Sequence, residues 1–130
     1  MFPVSIKGVL FPSIDRVVLL LNERDEWELP GGRLEVGETP PQCVVREIRE
    51  ELQLETRVDS LLDSYLFEVI PEKHVFVVTY GCSLIGDFAP AISAEHRRFE
   101  VFSCADLPQA LPSGYRASIE AWQRRSGAGI

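Results

Sequence analysis

Two strand-like segments open the chain. Val4 to Phe11 has strand character and is broken by Pro12-Ser13, and Val17 to Leu21 is a continuous apolar stretch of the kind that forms a strand buried on both faces. The two are expected to pair as a hairpin across Ser13 to Arg16. Trp27 and Leu29 then mark a short strand leading into Gly31-Gly32. From Pro40 the period changes. Val44, Val45, Ile48 and Leu52 fall on one side of a helix, and Glu47, Glu50 and Glu51 fall on another. Thr39 is the expected N-cap, Pro40 suits the first helical position, and Gln42 stands at capping-box spacing from Thr39, so a helix is predicted from Pro40 to about Gln53.

Beyond that helix, residues 56–70 read as extended, Pro71-Glu72-Lys73 as a turn, and His74 to Leu84 as a strand rich in Val, Phe, Thr and Tyr. Together they predict a long hairpin, with His74 a solvated turn residue rather than a catalyst. Glu95 to Phe102 is a further strand, and Ser113 to Arg125 is a closing helix with Tyr115, Ile119 and Trp122 on one stripe. Strands, a helix, more strands and a final helix predict an α/β fold with a mixed sheet between helical layers.

Composition narrows the class. The chain has 130 residues, 45% hydrophobic and 25% charged, which is enough for one domain over residues 1–130 with a substantial core. No signal peptide or membrane span is legible, since Val17 to Leu21 is far too short to cross a bilayer. Cys43, Cys82 and Cys104 are an odd number without metal-ligand spacing, as expected for buried thiols of a reduced, cytoplasmic protein. The net charge of −7 argues against broad nucleic-acid or anionic-membrane binding. It also means that an anionic substrate needs local help from a metal and from arginine.

Glu47, Glu50 and Glu51 are the chemical oddity. On a solvated helix face, like-charge pairs at these spacings cost only about 0.2–0.5 kcal/mol each. In a cleft of effective dielectric ~20, charges ~5.5 Å apart repel by about 3 kcal/mol per pair. The cluster therefore suits either open water, laced by Arg46 and Arg49, or a site that takes a cation. Glutamate oxygens are hard ligands suited to Mg²⁺ or Mn²⁺, and no Cys/His cluster competes. The preceding loop favours the cation. Gly31 and Gly32 let the backbone turn sharply and come close to an ion or phosphate, and Glu38 is free to reach back over the loop.

These residues carry a family resemblance. The Nudix box is written G-x5-E-x7-R-E-U-x-E-E-x-G-U, where U is a bulky aliphatic residue. The chain matches it with Gly32, Glu38, Arg46, Glu47, Ile48, Glu50, Glu51 and Leu54, and Trp-Glu-Leu-Pro-Gly before it is similar to the usual Nudix lead-in. The one departure is Gln53 in place of glycine. It concerns the helix end, where a glutamine held in the left-handed conformation costs roughly 1 kcal/mol.

The resemblance implies a Nudix-type α/β/α sandwich and hydrolysis of a nucleoside diphosphate linked to another moiety, using Mg²⁺ or Mn²⁺. Carried over by position, it makes Glu47, Glu50 and Glu51 metal ligands, with one of them or a distant carboxylate as general base. Gly31 offers a carbonyl to the metal, Arg46 orients the acidic cluster, and Glu38 supports the site from the loop. Glu95 is the candidate carboxylate from beyond the box, with Glu100 second. Arg24, near Trp27 at a strand end, is read as a phosphate contact or an ordinary surface ion pair, and both residues are candidate substrate contacts. Tyr65, Phe67 and Phe76 are candidate stackers for a base, although strand aromatics are mostly core.

ADP-ribose or a nucleotide sugar is the expected substrate type, ahead of a MutT-like triphosphate activity. The competing class is a Nudix domain that senses a nucleotide without turning it over; the intact acidic set argues for the enzyme. Homodimers are common in the family, and nothing in the sequence marks an interface.

Overall fold

The computed structural model describes residues 1–91 and 98–127. Among these described residues, seven strands and two helices follow in the order β1 (Val4–Leu10), β2 (Arg16–Leu21), β3 (Trp27–Glu28), β4 (Gly31–Arg33), α1 (Pro40–Leu52), β5 (Thr56–Ile70), β6 (Lys73–Leu84), β7 (Arg98–Ser103) and α2 (Ser113–Gly127). The strands form a four-stranded mixed sheet, β4-β1-β6-β5, and a three-stranded antiparallel sheet, β3-β2-β7. In the larger sheet β1 runs parallel to β6 and antiparallel to β4. The long β5–β6 hairpin forms as the sequence predicts.

The predicted β1–β2 hairpin does not form. The turn is present, as an isolated bridge between Ser13 and Arg16. Both edges of β1 are already taken, however, by β4 on one side and β6 on the other, so β2 leaves for the second sheet. Register with distant strands overrides the local turn signal, because a strand has only two hydrogen-bonding edges.

Two cores form on opposite sides of the strands. One gathers Ile6 and Leu10 of β1, Val18 and Leu20 of β2, and Val44, Ile48 and Leu52 of α1. The other gathers Val9, Val17 and Leu19 with Ile119 and Trp122 of α2. Alternate residues of β1 and β2 thus go to opposite helices, which is why β2 reads as an unbroken apolar run. Gly8 lets α1 sit close on β1, since a Cβ there would lie 2.9 Å from Val44 Cγ2. No helix among the described residues is long and apolar enough to cross a membrane.

The ends of α1 are built as the sequence predicts. Gln42 N–H donates to Thr39 Oγ1, and Thr39 N–H donates to the Gln42 side chain, completing the capping box. Gln53 stands where the box has glycine and does adopt the left-handed conformation, at φ 56° and ψ 37°, with its N–H donating to the Arg49 carbonyl at 2.9 Å. Its side chain is exposed. Gln53→Gly is therefore expected to stabilise the fold by up to about 1 kcal/mol, read as a rise in the urea midpoint at unchanged m-value; a fall would show that the side chain contributes contacts of its own.

Candidate active site

The helix α1 lies over the glycine loop and does not present one uniform acidic face. Glu51 is 3% exposed and sits on the core side with Ile48 and Leu52, whereas Val45, expected in the apolar stripe, is only part-buried. The Glu47 side chain is 15% exposed and that of Glu50 is 59%. The three carboxylates therefore have three environments.

Glu51 is tied to the loop: Gly31 N–H donates to its Oε1 at 2.8 Å. Glu47 lies across Gly32 so closely that a Cβ there would sit 2.4 Å from Glu47 Cδ. Gly31, at φ 143°, could carry no side chain either, because its Cβ would lie 2.0 Å from the Ile6 carbonyl oxygen. The two glycines are thus required by close approach of β1 and of Glu47, a different neighbour from the ion or phosphate expected from the sequence.

Arg46 joins loop to helix. Its Nε and Nη2 form a fork on Glu38 at 3.0 and 2.9 Å, its Nη1 donates to Glu47 at 3.0 Å and Glu50 at 3.1 Å, and its Nη2 also reaches the Arg33 carbonyl at 3.3 Å. These are bonds of the kind through which it is expected to orient the acidic cluster, with Glu38 reached from the helix. The Arg46 fork, with help from the Glu35 backbone N–H, brings the Glu38 carboxyl down to about 2. Burial raises the Glu47 carboxyl above its ordinary value despite the bond from Arg46. The Cys43 thiol, buried behind the loop, is pushed up to about 12 by desolvation and is held as an inert thiol.

Glu47 and Glu51 face one cavity of about 490 Å³, together with Gly31, Gly32, Arg33 and Glu28. Glu50 does not line it and turns to Arg46 and solvent. Among the described residues no three carboxylate, His or Cys side chains converge as a ready-made cage. The residues present still fit a hard divalent cation: two carboxylates, one deeply buried, over a glycine loop that leaves room for an ion and its water. Glu95 lies outside the described residues. Glu100 sits within β7, paired with Arg98 at 3.4 Å, and takes no part in this cavity.

A second cavity, of about 300 Å³, shares Asn22, Arg24 and Glu28 with the first. Trp27, Phe67, Val75 and Tyr115 give it apolar walls. Trp27 is fixed edge-on against Phe102, with centroids 4.9 Å apart, and the Arg98 guanidinium lies over its ring. Arg24 makes the exposed surface ion pair, with Glu26 at 2.9 Å, and also lines both cavities. Of the candidate stackers, Phe67 reaches the cavity; Tyr65 packs on Gly114. His74, expected in the turn, instead lies half-buried within β6, in register with Glu68 of β5 and 3.5 Å from its carboxylate.

Sequence reasoning missed Lys7, Asn22, Glu28 and Tyr115. Asn22 closes a turn, its Oδ1 accepting from the backbone N–H groups of Arg24 and Glu26 and its Nδ2 donating to Glu28 Oε1 at 3.3 Å. Lys7, 7% exposed, points its ammonium at Glu28 Oε2, 3.8 Å away. A lone lysine inside the apolar run Val4 to Phe11 was the one signal available for it.

A glutamate-bearing helix clamped over a glycine loop, between a mixed sheet and its helical layers, is the architecture of a Nudix domain. The NUDIX domain family model matches residues 1–122, and the chain belongs to this family. It is 32% identical over 112 residues to an ADP-ribose pyrophosphatase of Methanocaldococcus jannaschii, covering 82% of this chain and 64% of that protein. It is 44% identical over 51 residues, 39% of each chain, to an 8-oxo-dGTP diphosphatase of Escherichia coli K12. The crystal structure of a MutT NUDIX hydrolase from Burkholderia pseudomallei shares the fold, with a TM-score of 0.77 at 24% identity, covering 93% of this chain and 98% of that one. The alignments span 48% and 64% of the first curated relatives, so the chain matches about half to two thirds of their length.

Proposed function

We propose that residues 1–130 act as a single domain that hydrolyses the diphosphate bond of a nucleoside diphosphate linked to another moiety, of the ADP-ribose or nucleotide-sugar type, with Mg²⁺ or Mn²⁺. The observation that carries this reading is the junction of the two cavities. The acidic one suits a cation-bound diphosphate, the apolar one suits a nucleobase, and they meet at Asn22, Arg24 and Glu28. The relative named an ADP-ribose pyrophosphatase aligns over most of this chain, whereas the one named an 8-oxo-dGTP diphosphatase aligns over 39% of it.

The geometry supports the following roles. Glu51 and Glu47 would hold the cation, with the Gly31 carbonyl beside them; Glu50, in contact with Arg46 and half in solvent, would join from the rim. The bound cation supplies charge neutralisation at the diphosphate and a more acidic water. Arg46 keeps Glu47 aligned and ties it to Glu38, so the carboxylates are placed before substrate arrives. A buried carboxylate such as Glu47, whose affinity for a proton is raised, is suited to accept one from an attacking water. Trp27 and Phe67 offer faces or edges to a base, and Arg24 reaches a phosphate or ribose at the mouth. These contacts position the reacting bond, which is most of what such catalysis requires.

The test is product release from a panel of ADP-ribose, nucleotide sugars, dinucleoside polyphosphates, NADH and normal and oxidised nucleoside triphosphates, each with Mg²⁺, Mn²⁺ or EDTA. Metal-dependent turnover of ADP-ribose or a nucleotide sugar, abolished by EDTA, is expected. Turnover confined to triphosphates would replace the substrate class, and metal-dependent binding without product would make the domain a sensor.

A further inference from the structure

Lys7 is a buried cation that the roles above leave unused. It lies on β1 opposite Gly31 of the metal loop, in the antiparallel register that pairs those two strands. Its stem packs on that glycine: a Cβ on Gly31 would meet Lys7 Cα at 2.8 Å and Cδ at 2.9 Å. On its strand, Ile6 and Leu10 face α1 and Val9 faces α2. Lys7 shares the Val9 side, at the point where apolar packing gives way to Glu28 of β3 and Tyr115 of α2. An ammonium withdrawn from water this far needs partners. Glu28 stands 3.8 Å from it, while Tyr115, Glu51 and Glu47 act on it through their charge or potential charge. Glu28 lines both cavities, and Glu47 and Glu51 line the acidic one. Lys7 itself lines neither.

We propose that Lys7 is a positioning residue, a fixed internal cation beneath the acidic cavity that holds Glu28 at the junction of the two cavities and offsets the carboxylates of the metal site. The inference rests on the metal-dependent reading of that site. In the free protein Lys7 supplies part of the positive charge that a divalent ion would bring, so the carboxylates stay together before the ion arrives. In the loaded protein it remains and adds positive field under the diphosphate. An ordinary structural ion pair between Lys7 and Glu28 makes a different prediction, because losing a structural pair damages the site whichever partner is removed.

Mn²⁺ affinity without substrate, measured by electron paramagnetic resonance, separates the two. Lys7→Met removes a like charge from the neighbourhood of the ion and is expected to tighten Mn²⁺ about tenfold, while Glu28→Gln leaves Lys7 less opposed and is expected to weaken Mn²⁺ by about the same factor. The double variant should return close to wild type, and Lys7→Arg, which keeps the charge, should differ little from it. In Lys7→Met, kcat/KM for the substrate found by the panel should fall despite the tighter metal. Unchanged or weaker Mn²⁺ binding in a folded Lys7→Met protein overturns the proposal. If Lys7→Met does not fold, Glu28→Gln decides: unchanged Mn²⁺ affinity there overturns the proposal, and weakened affinity with an unchanged unfolding midpoint supports it. A wild-type protein that binds no Mn²⁺ overturns the metal-dependent reading as well, so the two failures are told apart.

Discussion

Glu51→Gln is expected to reduce kcat by at least about 10²-fold while leaving the fold intact. Glu51 is nearly inaccessible, accepts the Gly31 N–H at 2.8 Å and faces the cavity that Glu47 also lines. Glutamine has the same shape, and its amide oxygen can keep the bond from Gly31, so the loop should stay where it is. What is lost is a full negative charge at the centre of the proposed metal site. Single-turnover assays and Mn²⁺ titration should show slower chemistry and weaker metal, with an unchanged urea midpoint. Near-normal turnover would place the essential carboxylate elsewhere, at Glu47 or in the segment that contains Glu95.

The second large effect is expected for Arg46→Lys, a substitution that keeps the charge and loses the geometry. Arg46 uses both ends of its guanidinium at once, forking onto Glu38 while bonding Glu47, Glu50 and the Arg33 carbonyl. An ammonium cannot span those partners. Activity should fall about 10–100-fold, the usual cost of losing an orienting contact to a metal ligand. The variant also changes the acid response. In the wild type the Glu38 carboxyl is depressed from 4.5 to about 2, so its tie to the helix is fully present above pH 4.5 and is lost only as pH falls towards 2. Without the fork, Glu38 should titrate nearer its ordinary range and release the loop at a higher pH. Hydrogen exchange at the Glu35 amide, which donates to Glu38, reports this directly. Equal protection in both proteins at pH 3 would show that Arg46 does not hold the loop.

Much of this site is legible in the sequence because its determinants are local. The cap of α1 needs only Thr39, Pro40 and Gln42, and all three do what their types predict. The Glu38–Arg46 clamp spans the N-cap and about two helical turns, so fixed spacing is enough to place it. The misjudged parts depend on contacts between distant segments. Glu51 sits at the border of the apolar stripe, and only β4 closing over it decides that it is buried. The β1–β2 hairpin failed because β4 and β6 compete for the same two edges of β1. Lys7, Glu28 and Tyr115 come from β1, β3 and α2, and no spacing along the chain relates them.

The passage from β3 to β4 has a consequence for substrate choice. Trp27 belongs to one sheet and Gly31 to the other, and only Leu29 and Pro30 bridge β3 and β4. Neither residue is loose. Leu29 is fully buried among Val9, Val17 and Leu19, and the Pro30 carbonyl accepts the Gly8 N–H at 2.9 Å. Two extended residues span about 7 Å. The dipeptide is therefore a short ruler laid between the wall proposed to meet the base and the loop proposed to meet the diphosphate. Its length is set by the cores of both sheets, so under the proposed function a substrate would be measured by the spacing between its base and its phosphates before any chemistry begins.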